Sequence, residues 1–147
     1  MMSQNQIFGK NTCAILTGAL WLWAGQGVAQ ELNQALQPGG VAVIRGIVDG
    51  DTGTMQEAIS GATQIRLVGI QAPKLPLGRR GFQKWPLADA ANAFLSRLAG
   101  DRKVRLSHGG RRMDRHGRLL AHLNLEDGAW VQGALLSAGL ARVYSFG

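Results

Sequence analysis

Val41-Ala-Val-Ile-Arg-Gly-Ile-Val48 runs straight into Asp49-Gly-Asp-Thr-Gly53. A β-branched run feeding a Gly/Asp turn commits this stretch to a strand and a tight reversal. Branched Cβ atoms fit a pleated surface, and Gly and Asp accept the backbone angles that the turn demands. A second strand is expected over Thr54–Ala58, closed by Ser60-Gly61, and a third over Gln64–Ile70. Gln71 to Pro86 is expected to be irregular, since Pro73, Pro76 and Pro86 with Gly78 and Gly81 leave little room for helix or ladder. Leu87–Leu98 reads as an amphipathic helix: Leu87, Ala91, Phe94, Leu95 and Leu98 share one face, and Gly100 stops it. Strands follow over Lys103–Ser107 and Arg118–Leu125, with Leu119, Ala121, Leu123 and Leu125 on one side. Asp127-Gly128 then turns the chain into a helix over Trp130–Ala138, ended by Gly139. Three strands, a helix, two strands and a helix give a mainly β class with two or three helices. That is the element order of the OB-fold, a five-stranded Greek-key barrel.

The first thirty residues read as an address. Lys10 precedes an apolar run from Cys13 to Ala24, which ends in Gly25-Gln-Gly-Val-Ala29. A positive start, an apolar core and small residues at Gly27 and Ala29 mark a secretory signal over residues 1–29, cleaved after Ala29. The alternative, a retained anchor, needs about 20 apolar residues, more than this core supplies. The expected organisation is a signal peptide (1–29), a short lead (30–40) and one domain (41–147), with a periplasmic or secreted destination. Cys13 is the chain's single cysteine, so no disulfide framework and no multi-cysteine zinc site is available.

Charge is concentrated in the middle of the chain. Arg66 to Arg118 contains thirteen Lys and Arg against three acids, Asp89, Asp101 and Asp114, a net +10. A field of one sign raises the local concentration of polyanions and speeds their encounter. Arg79, Arg80 and Lys84 alternate with Phe82 and Trp85, the composition of a surface that holds phosphates while bases stack on rings. Arg111, Arg112 and Arg115 form a second cationic loop after Gly109-Gly110. His108, His116 and His122 lack metal-ligand spacing and read as structural or surface groups.

Asp49-Gly-Asp-Thr52, Ile65-Arg-Leu-Val-Gly-Ile-Gln-Ala-Pro-Lys74 and Asp114-Arg-His-Gly-Arg-Leu-Leu-Ala121 come in order, followed by Asp127-Gly128 and Gly139-Leu-Ala-Arg-Val143. Together they resemble the staphylococcal nuclease (thermonuclease-like) family from about Val41 to Tyr144. The resemblance implies an OB-fold and a calcium-dependent phosphodiester hydrolase. In active members two aspartates ligate calcium, a glutamate serves as general base, and two arginines bind the phosphate and stabilise transition-state charge. Carried over, the first aspartate is Asp51, the arginines are Arg66 and Arg118, and Asp49 matches a neighbouring acid. The family's Asp-x-Pro-Glu is Gln71-Ala72-Pro73-Lys74 here. The second metal carboxylate is thus an amide that offers only a neutral carbonyl, and the general-base position holds a cation.

These residues lead to an exported protein that binds DNA, RNA or another phosphate polyanion, with calcium-dependent hydrolysis lost or strongly reduced. Arg66, Arg118, Arg79, Arg80, Lys84, Arg111, Arg112 and Arg115 are the candidate phosphate ligands. Asp51 and Gln71 are what remains of the calcium site. Two other readings use the same residues. One is a divergent phosphodiesterase working with Asp51, Arg66 and Arg118. The other is a periplasmic interaction module with a basic face.

Overall fold

A computed structural model describes residues 36–145, so the leader expected over residues 1–29 lies outside the described residues. The strands are β1 (Gln37–Asp49), β2 (Thr52–Ile59), β3 (Ala62–Leu67), β4 (Ile70–Gln71), β5 (Lys103–His108), β6 (Leu119–Leu125) and β7 (Arg142–Val143). The helices are α1 (Ala88–Ala99), between β4 and β5, and α2 (Val131–Ser137), between β6 and β7. Strands β1-β2-β3-β6-β5 close into a barrel, with β1 also pairing to β5. Only β3 and β6 run parallel. This is the five-stranded barrel expected from the element order, capped by the helix between its third and fourth barrel strands.

Alternation fills the barrel. Ile44, Met55, Ile65, Leu67, Val104, Leu106, Leu123 and Leu125 are buried in one cluster with Leu95 and Ala99 of α1 and Val131 and Leu135 of α2. The described residues, 36–145, form a compact unit that contains this whole core.

The strands depart from the sequence expectation at three places, each with a local cause. β1 starts at Gln37 instead of Val41 because a register shift between Pro38 and Gly40 absorbs the Pro-Gly-Gly segment while pairing to β5 continues. The third strand does not reach Ile70. It stops at Leu67, turns through Val68-Gly69, and resumes as β4, with Gly69 at φ 80. β4 then pairs with β7, a strand too short for periodicity to reveal.

Gln132 of α2 is fully buried. Its amide donates to Ala121 O at 3.1 Å and accepts from Leu123 N at 3.2 Å, which fixes α2 to β6. α1 presses on the β1–β2 turn. A Cβ added to Gly50 would lie 2.7 Å from the Cβ of Ala91 and 2.8 Å from that of Ala72. Only glycine lets the turn bearing Asp49 and Asp51 sit this close to the helix. Overpacking of this kind typically costs about 1–3 kcal/mol. Gly50→Ala is therefore expected to lower the urea midpoint by an equivalent amount, and an unchanged midpoint would show that the turn is not clamped there.

Candidate functional site

The turn after β1 places two buried carboxylates side by side, Asp49 and Asp51. Backbone donors hold them in place. Gly50 N and Leu75 N donate to Asp49 Oδ1 at 3.0 and 3.3 Å, and Ala72 N donates to Asp51 Oδ2 at 2.8 Å. Thr52 Oγ1 adds a bond to Asp51 Oδ1 at 3.1 Å. Two buried anions this close need cations, because a desolvated charge without a partner is costly.

Lys74 supplies the first. Its Nζ lies 2.8 and 2.7 Å from the two oxygens of Asp51 and 3.2 Å from Asp49 Oδ2. The ammonium thus sits between the two carboxylates, where a divalent ion would have to sit to use both. Three N–H donors on a compact charge suit a pocket lined by carboxylate oxygens.

Arg66 supplies the second, with Nη2 at 3.2 Å from Asp51 Oδ2. The same guanidinium donates to three carbonyls: Leu67 O at 2.7 Å, Ile70 O at 2.9 Å and Asp51 O at 3.3 Å. The turn at Val68-Gly69 brings the carbonyls of Leu67 and Ile70 to bear on it. Burial holds the Arg66 pKa below its ordinary value, opposed by Asp51 and reinforced by the positive charge of Arg118. Arg66 is therefore a linchpin of the β2–β3–β4 corner, and its terminal nitrogens are all directed at protein oxygens.

Gln71 points elsewhere. Its Oε1 accepts from Arg142 Nη2 at 2.6 Å and Nε at 3.1 Å across the β4–β7 pair. The Gln71 side chain is thus an amide engaged by a cation. Arg142 went unassigned in the sequence, although it lies within Gly139-Leu-Ala-Arg-Val143. A hard divalent ion does not fit this donor set: Asp49 and Asp51 already share an ammonium, and Gln71 adds no charge. Among the described residues, no three His, Cys, Asp or Glu gather as a metal site requires.

Arg118, just before β6, is within electrostatic reach of Arg66. It is bound by Asp114, whose Oδ2 accepts from Arg118 Nη2 at 2.6 Å and Nε at 2.7 Å. Asp114 also closes the loop by accepting from the backbone N–H of His116 and Arg118 through Oδ1 at 2.8 and 2.9 Å. In the sequence Asp114 stands at the head of the motif over residues 114–121 with no role assigned; the Asp-x-x-Gly spacing places it to cap this turn.

The other cations singled out in the sequence lie on two loops that adjoin this cluster. In the first, Trp85 N donates to Lys74 O at 3.0 Å and joins the ends of a loop over residues 74–85. Within it, Arg79 donates to Pro76 O through Nε at 3.0 Å and lies 3.7 Å over the Phe82 ring. Lys84 pairs with Asp89 of α1, and Arg80 is exposed. Leu77 and Leu87 hold left-handed φ values of 47 and 65, which cost a non-glycine residue about 1–2 kcal/mol. In the second loop Arg111, Arg112 and Arg115 are exposed; Arg112 reaches Pro38 O at 3.4 Å, and Arg115 donates to His116 Nε2 at 3.1 Å. Arg112 O accepts from Leu120 N, and Leu120 is the register partner of Arg66, so this loop also borders the corner. His108 is buried with Nδ1 2.6 Å from Leu120 O, and His122 packs on Trp130.

The acid limb of stability should report on Asp114. Burial alone would raise its pKa, but the bonds from Arg118 and His116 outweigh this and hold it below its ordinary value. A carboxyl with a lowered folded pKa contributes stability that is present above the unfolded value and is lost as pH falls through the folded one. Asp114→Asn should therefore flatten the loss of stability below about pH 4, read by urea titration at stepped pH. An acid limb identical to wild type would show that the Asp114–Arg118 pair adds nothing.

A model of the family described as staphylococcal nuclease homologue matches residues 64–147, more than half of the chain. Comparison with curated proteins gives no match.

Proposed function

The chain belongs to the staphylococcal nuclease family, and from that premise we propose that it is an exported protein that binds nucleic acid, or a chemically similar phosphate polymer, and does not cleave it by calcium chemistry. One observation carries this reading: the Lys74 ammonium sits within 2.8 Å of both oxygens of Asp51 and 3.2 Å from Asp49. For a divalent ion to use those carboxylates, Lys74 must leave. If it moves only to about 4 Å from the ion, the repulsion at an effective dielectric of about 20 is about 8 kcal/mol. With Lys74 in place, the family's general-base position holds a proton donor with no basic lone pair to offer a water.

Binding falls to the rim. Arg66 and Arg118 are committed to Asp51, to backbone carbonyls and to Asp114, so they shape the corner more than they reach outward. Arg79, Arg80 and Lys84 on one loop and Arg111, Arg112 and Arg115 on the other present exposed cations on segments that adjoin it. Phosphate contacts of this sort are strong at low salt and carry little sequence information. The apolar run from Cys13 to Ala24 supports export.

The test is a cleavage assay on a single-stranded oligonucleotide with calcium and with chelator, paired with a binding titration. We expect no calcium-stimulated cleavage. Binding should weaken with salt at a logarithmic slope of about −0.7 per phosphate contact. Calcium-stimulated cleavage lost in Arg66→Ala and Arg118→Ala would replace this reading with a divergent phosphodiesterase. Conversely, Gln71→Asp combined with Lys74→Glu is expected to gain both a calcium-dependent rise in melting temperature and calcium-dependent cleavage. A double variant that ignores calcium in both measurements would show that more than these two side chains separates this corner from a metal site.

A further inference from the structure

The loop over residues 74–85 carries a cost that nothing in the barrel repays. Leu77 is 52% exposed at φ 47, and Leu87, just past the neck of the loop, is 59% exposed at φ 65. Glycine or asparagine would take those backbone angles with less strain, and each leucine leaves more than half of its surface in water. Trp85 at the neck is 40% exposed. Between them lie Arg79, Arg80 and Lys84. A loop whose ends meet, and which is packed by its own side chains, is a compact unit of the kind that often carries function.

The loop is also held rigidly. Its neck closes through Trp85 N and Lys74 O, and the Lys74 ammonium is seated between Asp49 and Asp51. Inside, Arg79 N bonds to Pro76 O, Phe82 N bonds to Arg79 O, and the guanidinium carbon lies 3.7 Å over the Phe82 ring. Exposed apolar side chains on a preorganised loop engage a partner with little ordering cost.

We propose that this loop docks the protein on the surface of an anionic phospholipid bilayer. Leu77 and Leu87 enter the acyl boundary, Trp85 sits at the headgroup level, and Arg79, Arg80 and Lys84 meet the lipid phosphates. Indole rings favour that depth, and stable surface binding requires an apolar insertion together with a cationic patch, which this loop combines. Bases would use the rings and the cations, but two outward leucines gain most from hydrocarbon. This inference does not depend on whether the protein binds nucleic acid.

The experiment uses the chain from Gln30 onward, which keeps the compact barrel unit and removes the apolar run at Cys13–Ala24. Trp130→Phe then leaves Trp85 as its single tryptophan. This protein should co-sediment with vesicles of equimolar phosphatidylglycerol and phosphatidylcholine far better than with phosphatidylcholine alone, and its emission should shift to the blue on binding. Adding Leu77→Gly and Leu87→Gly should lower the partition coefficient about tenfold per leucine. Because glycine relieves the backbone at both positions, this loss should come with no loss of the urea midpoint. Absence of binding to the anionic vesicles, binding undiminished in the double glycine variant, or emission that stays unshifted in the bound state would each overturn the proposal. So would emission that responds only to a single-stranded oligonucleotide, which would assign the loop to bases.

Discussion

The ammonium of Lys74 between Asp49 and Asp51 is the interaction on which the corner of the barrel depends. Two carboxylates two residues apart in a tight turn repel each other, and both are buried. Gly50 keeps the turn close under α1, so the acids cannot relax outward. Backbone donors alone would leave two net negative charges in a poorly hydrated place. Lys74 and Arg66 bring the cluster to neutrality, and in doing so they connect the β1–β2 turn, β3, β4 and the root of the 74–85 loop. A buried ion cluster is weak evidence for stability, since well-packed apolar groups can do as well. It is better understood as geometric specification: with acids fixed in the turn, a loop with a cation at position 74 docks in one register.

Much of this was legible in the sequence, because it rests on local rules. Barrel strands announced themselves through β-branched runs and alternation, α1 through its apolar face and Gly100, and the corner through Gln71 and Lys74, which the family resemblance sets against an aspartate and a glutamate. Other features depend on contacts between distant segments. The third strand appeared to run on to Ile70, because a β-rich run does not reveal where Gly69 takes a positive φ. Without that turn, the carbonyls of Leu67 and Ile70 could not be known to face Arg66, so nothing in the sequence showed that its terminal nitrogens meet protein oxygens. The pairing of Gln71 with Arg142 needed the short β4–β7 contact, and that of Lys74 with both acids needed the path of the loop. Gln132 gave no sequence signal, since a polar residue on a short helix ordinarily faces water.

The distribution of charge follows from the same cluster. The middle of the chain is strongly basic, yet Arg66, Lys74 and Arg118, its most central cations, each have an acid within a few ångströms. Their fields largely cancel at short range. Hydrogen bonds to backbone carbonyls, in contrast, order Arg79 and Arg112 without neutralising them. The positive potential is thereby displaced from the pocket to the loops around it. A ligand drawn by that potential meets a rim of guanidinium groups, and its contact area is set by loop surface more than by pocket depth.

A tethered cation differs from a diffusible one in a way that bears on how such a corner can work. Lys74 is delivered by its own loop, so its effective concentration at Asp51 is fixed by chain geometry and exceeds what short flexible linkers reach, about millimolar, because the loop is closed and internally bonded. A free divalent ion must compete with that, shed part of its own hydration shell, and tolerate the displaced ammonium nearby. The neck bond from Trp85 ends on the carbonyl of the same residue, and Ala72 N and Leu75 N bond to Asp51 and Asp49, so the two carboxylates hold the root of the 74–85 loop through the backbone as well as through the ammonium. Occupancy of the carboxylates and presentation of the loop are thus linked through one pair of acids. In a corner that takes its cation from solution, the order of the loop rises and falls with metal concentration. Here the cation is part of the chain, and the loop is held whenever the barrel is folded.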